Sequence, residues 1–104
     1  MEPLSRVTPA TADVLSALLS HSEPMWGLLV VKETERPAGS VYPILERLER
    51  LGWAASEWES DGERSGPRRR LYRLTHDGAA AAPAAVRHAR QRSQPIGVRG
   101  KAIA

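Results

Sequence analysis

The run Gly39-Ser40-Val41-Tyr42-Pro43-Ile44-Leu45-Glu46-Arg47-Leu48-Glu49-Arg50-Leu51-Gly52-Trp53 constrains this chain more than any other stretch. On a helix of about 3.6 residues per turn, Val41, Ile44, Leu45, Leu48 and Leu51 share one face, while Pro43, Glu46, Arg47 and Arg50 lie opposite. The first face predicts core. The second fits either a solvated charged surface or a surface offered to a partner. Gly52 stands where a left-handed residue ends a helix.

The length of 104 residues predicts one domain with one small core. Hydrophobic residues at 41% and charged ones at 26% suit a soluble globular chain. No apolar run reaches membrane-spanning length, the N-terminus lacks the basic-then-apolar layout of a signal peptide, and there is no cysteine for disulfides or thiolate metal sites. These features together point to the cytoplasm.

The net charge of +3 is unevenly spread. Residues 32–67 carry five basic residues (Lys32, Arg36, Arg47, Arg50, Arg64) against eight acidic ones, whereas from Arg68 onward there are nine basic residues and one acid, Asp77. Such a split predicts an anionic partner for the C-terminal third, nucleic acid first among candidates. A solubilising tail is the other reading of the stretch after Arg92.

Met1 to Val7 reads as a loose leader. Thr8-Pro9 predicts an N-cap followed by proline at the first helical position, opening a helix to about Ser20 whose buried stripe is Val14, Leu15, Leu18 and Leu19. His21, at its end, is read as a structural cap on the last carbonyls. A second helix is expected over about Pro24 to Glu33, carrying Met25, Trp26, Leu28, Leu29 and Val31. Gly27 would allow close backbone packing against the helix that follows. The polar connector Thr34 to Pro37 then leads into the third helix, making a helix-turn-helix candidate.

After Gly52 the pattern changes to strands. Ala54 to Glu59 alternates weakly, Ser60 to Pro67 is dense in turn formers, and Arg68 to Leu74 returns as a second strand. Three helices followed by such a hairpin make a winged helix. The expected fold class is α+β, mainly α: a winged helix-turn-helix with a two-stranded wing and a short C-terminal helix for dimerisation. Expected boundaries are 1–8 for the leader, 9–75 for the winged-helix domain, 76–92 for the C-terminal helix and 93–104 for a disordered basic tail. Thr75 is an apt N-cap for the C-terminal helix. Pro83 predicts either a kink or a start near Ala82.

Trp26-Gly27, Pro37 to Leu45, Leu48-Glu49, Gly52-Trp53, Ser56 to Glu59, Gly66 to Thr75 and Gly78 together resemble the PadR family of bacterial transcriptional regulators. The match covers roughly residues 10–80, with GSVYPIL and GPRRRLYRLT as its most specific parts. The resemblance implies a homodimeric repressor on a palindromic promoter site, relieved by a small hydrophobic or aromatic effector. It also implies that Gly39 to Pro43 opens the recognition helix, that Gly66 to Arg70 forms the wing, and that the C-terminal region packs against the first helix of the partner subunit. The chain departs from the family in two places: Trp26 stands where tyrosine is usual, and the segment after Leu74 is short.

The DNA contacts expected are Gly39, Ser40, Tyr42, Pro43, Arg47, Arg64, Arg68, Arg69 and Arg70. Backbone N–H groups and Ser40 at the helix start suit phosphate oxygens. Tyr42 has two readings, a phosphate contact or a packed ring. Pro43 costs little near the helix start and offers an apolar edge to a thymine methyl. Arg47 either contacts DNA or pairs with Glu46 and Glu49. Arg68, Arg69 and Arg70 alternate along a strand, so two of the three are expected to face DNA. Leu15, Leu18, Trp26 and Val86 are candidate effector or dimer contacts. Trp26, Trp53 and Trp58 either line a pocket for a flat ligand or pack core and hairpin.

No cofactor or metal is expected, because His21, His76 and His88 are scattered without ligand spacing. An enzyme is disfavoured by the lack of a nucleophile–base pattern or a phosphate-binding glycine loop. The alternatives kept are a winged-helix module used for protein contacts and an effector-independent architectural DNA binder.

Overall fold

The computed structural model describes residues 1–60 and 66–93. In chain order the elements are α1 (Pro9–Leu19), β1 (Met25–Trp26), α2 (Gly27–Thr34), α3 (Ala38–Arg50), β2 (Ala54–Trp58), β3 (Arg70–Leu74) and α4 (His76–Ser93). The three antiparallel strands lie in the order β1-β3-β2. This is the expected α+β, mainly helical winged helix, with one strand more than the two-stranded wing predicted.

The extra strand corrects the reading of Met25 and Trp26 as helical. They pair with β3 in the register Met25↔Tyr72 and Trp26↔Leu71, and α2 starts only at Gly27. Two residues carry no period, so only their partner strand reveals them. Gly27 lets α2 approach α3 closely: a Cβ on it would lie 2.6 Å from Cε1 of Tyr42 on α3, so the ring would have to shift.

Val14, Leu15 and Leu18 of α1, Met25, Val30 of α2, and Val41, Leu45 and Leu48 of α3 form the core, closed by Trp53, Tyr72 and Ala82. Each fully buried leucine contributes roughly 1.5–3 kcal/mol. Leu19, expected in that stripe, is 37% exposed because α1 ends there, and Leu28 and Leu29 face outward on α2.

The ends are capped much as the local sequence predicts. The Thr11 N–H donates to Thr8 Oγ1 at 3.1 Å. At the end of α3 the Gly52 N–H donates to Glu49 O and the Trp53 N–H to Leu48 O, with Gly52 at φ 86°. The Gly78 N–H donates to Thr75 Oγ1 at 3.0 Å, so α4 begins at His76 and not near Ala82. Pro83 lies within the helix on its exposed side, where the carbonyl it leaves without an N–H can be hydrated. Pro43 likewise stands sixth in α3, past the first turn. It therefore forfeits one helical bond, to the Gly39 carbonyl, where it was expected to cost little. His21 does not cap carbonyls; its Nε2 sits 2.8 Å from Glu33 Oε1, fastening α1 to α2.

The leader is docked rather than loose. The Glu2 N–H donates to Leu51 O at 2.8 Å, the Trp53 indole N–H donates to Glu2 O at 2.7 Å, and Leu4 and Val7 pack on the core. The α4 helix lies along α1 of its own chain, burying Ala82 and Ala89, and Arg92 donates to Val7 O at 2.6 Å. Among the described residues no helix is long and apolar enough to cross a membrane.

Candidate nucleic-acid interface

Because Val41, Leu45 and Leu48 are buried, the helical period turns Gly39, Pro43, Glu46 and Arg50 outward as one exposed stripe. Two flanks border it. On one, Ser40 and Arg47 are partly buried, and the Arg47 guanidinium donates to Arg6 O of the leader at 3.2 Å. On the other, the Tyr42 ring covers Gly27, and Glu49 Oε2 accepts a 2.6 Å hydrogen bond from Ser56 Oγ and lies 3.7 Å from Arg70 Nη2. Of the four charged side chains in the second half of α3, Arg47 and Glu49 are thus held by neighbours, while Glu46 and Arg50 point away from the core.

The start of α3 is capped by Pro37 without a side-chain hydrogen bond. Ser40 and Val41 donate their N–H groups to Pro37 O, which leaves those of Ala38 and Gly39 without an intrahelical acceptor. Together with the exposed Gly39 and Pro43, this makes a small donor-rich tip with no bulky side chain.

The hairpin separates its arginines. Arg70 lies on the sheet face toward α3, its guanidinium 5.2 Å from the Trp58 ring. Arg69 lies on the other face, 3.8 Å over the Trp26 ring, with its backbone N–H donating to Glu59 Oε1 at 3.0 Å. Its Nε is buried without a hydrogen-bond acceptor, so the ring face is what receives that charge. Arg68 is exposed at the start of the returning strand, and Arg64 lies outside the described residues. Trp58 is 54% exposed rather than packed in core, and Trp53 is buried.

The four candidate effector or dimer residues do not gather at one place. Leu15 and Leu18 are inside the core, Val86 packs on it from α4, and Trp26 is under Arg69 on the sheet. A polar cleft of about 280 Å³ between α1, α2 and α4 is lined by Asp13, Ser16, Ser20, Glu33, Thr34 and Arg90, and by none of those four. Arg36 and Arg90 both reach Asp13 there, at 2.8 and 3.5 Å.

Glu46, left out of the expected contacts, shares the exposed stripe of α3 with Gly39 and Pro43. The signal was its place three residues after Pro43 and seven after Gly39, masked by the acidic Glu49 beside it, which the fold turns toward the sheet.

The model of the transcriptional regulator PadR-like family matches residues 14–84. Among solved structures, a protein of Ralstonia eutropha described as DNA-binding is 26% identical, covering 76% of this chain and 96% of its own, with a TM-score of 0.60. A PadR-like transcription factor of Bacteroides fragilis is 23% identical over 90% of this chain and 88% of its own, with a TM-score of 0.61. BpsR of Bordetella bronchiseptica, whose DNA binding is regulated by 6-hydroxynicotinic acid, is 30% identical over 86% of this chain and 64% of its own, with a TM-score of 0.67. No curated protein sequence matches the chain. The family match runs from α1 through α3 and the hairpin into α4, and the chain accordingly belongs to the PadR-like family of DNA-binding transcriptional regulators, proteins that control transcription and are not enzymes.

Proposed function

We propose that the chain is a homodimeric repressor that binds a palindromic promoter site through the first turns of α3 and the β2–β3 hairpin, and that a small aromatic or hydrophobic effector relieves it. The observation that carries the reading is the exposed Gly39–Pro43 tip of α3, with unpaired backbone N–H groups beside an arginine-bearing hairpin. In this assignment the Ala38 and Gly39 N–H groups and Ser40 hold a phosphate, and Pro43 meets base edges. Tyr42 sets the angle of α2 against α3 and directs its hydroxyl to the backbone of the duplex. Arg47, Arg64, Arg68 and Arg70 supply the phosphate attraction. Arg70 does so from a position fixed by Trp58 on the sheet face toward α3, while Arg69, stacked on Trp26 on the opposite face, holds the hairpin in place. Val86, partly buried on α4, is the candidate dimer contact kept from the four, since Leu15 and Leu18 are enclosed in the chain's own core and Trp26 is covered by Arg69. The regulation of BpsR by 6-hydroxynicotinic acid makes a small aromatic acid the first effector to try.

A fluorescence titration of the chain against the promoter of its own gene, at two salt concentrations and with a scrambled duplex as control, tests the proposal. Tight, salt-sensitive binding to the promoter and weaker binding to the scrambled duplex is the expected result; equal affinity for both defeats the specific repressor. Exposed Leu28, Leu29 and Trp58 favour one second reading, a winged helix used for protein contacts, and that reading gains if neither duplex binds.

A further inference from the structure

The most informative unassigned side chain is Glu46. It stands in the middle of the exposed α3 stripe, three residues after Pro43 and four before Arg50. Among the described residues it makes no hydrogen bond and no ion pair, although Arg47 and Arg50 are adjacent on the same helix. The other acid of the helix, Glu49, is held by Ser56 and Arg70. A helix that inserts its first turns into DNA therefore brings one unneutralised carboxylate with it.

A carboxylate among phosphates is repelled, so it is tolerated in a groove only where a base edge supplies a donor. In the major groove guanine shows N7 and O6, both acceptors, and thymine shows O4 and a methyl group. Adenine offers its N6 amino group, but the neighbouring N7 opposes the second carboxylate oxygen. Cytosine offers its N4 amino group with only a C5–H beside it on the same base, and is the base that Asp and Glu side chains read.

We propose that Glu46 is a specificity-determining residue of the reading helix, its carboxylate accepting a hydrogen bond from the N4 amino group of a cytosine and excluding guanine and thymine from that position. The proposal rests on α3 entering the major groove. Glu46 acts by rejection as much as by attraction, since opposite guanine or thymine its charge loses water and gains no donor, and opposite adenine the donor comes beside the opposing N7. Its removal consequently raises affinity for arbitrary duplexes while lowering discrimination.

Selection from a random duplex library with the wild-type chain, Glu46→Gln and Glu46→Ala tests this. Wild type is expected to enrich duplexes with one fixed cytosine in each half-site. An amide can pair with N6 and N7 of adenine, so Glu46→Gln should change that position from cytosine toward adenine and leave the others as they were. Glu46→Ala should lose about tenfold in discrimination there and bind a scrambled duplex more tightly than wild type. All three proteins should keep the same unfolding midpoint, because the side chain is exposed and, among the described residues, unpartnered. Selection of one unchanged consensus by all three overturns the role of Glu46 while leaving DNA reading by α3 intact. Failure of wild type to enrich any sequence overturns both.

Discussion

The Arg69 guanidinium carbon lies 3.8 Å from the centre of the Trp26 ring, on the face of the sheet turned away from α3. One side chain thereby ties the returning arm of the wing to the two-residue strand β1, which leads directly into α2. The stack thus joins the hairpin to the start of α2, the helix that packs on α3.

Trp26→Ala and Arg69→Ala are each expected to destabilise the chain, and the double variant by less than their sum. The stack should appear as a coupling of about 0.5–2 kcal/mol in a double-mutant cycle followed by urea unfolding. Additive losses would mean that the contact contributes only packing area.

Two glycines predict different penalties. A Cβ on Gly78 would clash with the Trp53 carbonyl oxygen, a backbone atom that cannot turn aside, whereas one on Gly27 would meet the Tyr42 ring, which can shift. Gly78→Ala should therefore cost about 3 kcal/mol or more, the upper end of overpacking losses. Gly27→Ala should cost only about 1 kcal/mol after the gain in helix propensity. Thermal unfolding of the two variants ranks them. Gly27→Ala should in addition weaken DNA binding, since it moves Tyr42 on the reading helix.

Salt dependence isolates the wing. Arg68→Ala is expected to weaken binding to every duplex by a similar factor and to reduce the slope of log affinity against log salt by about one, the loss of one phosphate contact. A slope equal to that of wild type would place Arg68 outside the interface.

Burial pushes the Tyr72 hydroxyl above its ordinary value of 10.0, an effect that neighbouring Arg70 opposes and Glu49 reinforces. The folded chain then holds this proton more tightly than the unfolded chain does. The associated stability is intact below pH 10.0 and declines as pH rises through the folded value. Urea midpoints measured across that range should fall more steeply for wild type than for Tyr72→Phe, which has no proton to lose. Parallel curves would show that the hydroxyl is solvated.

Local rules made α1 and α3 legible. Thr8-Pro9, Thr75 and Gly52 act on their own neighbours along the chain, and the apolar period of α3 needs only the geometry of a helix to place Val41, Leu45 and Leu48 inside. Tertiary structure decided what depends on a distant partner. Met25 and Trp26 become a strand because β3 arrives beside them, and the leader is ordered because Leu51 and Trp53 offer it an acceptor and a donor. Pro83 stays within α4 because the helix is capped at Thr75 and lies along α1. The charged side chains show the division most clearly. Composition counts Glu46, Arg47, Glu49, Arg50, Arg69 and Arg70 alike, but a charge is spent or kept according to what lies within hydrogen-bonding or stacking reach. Only the packed fold brings Arg6 to Arg47, Ser56 to Glu49 and Trp26 to Arg69, and leaves Glu46 facing outward.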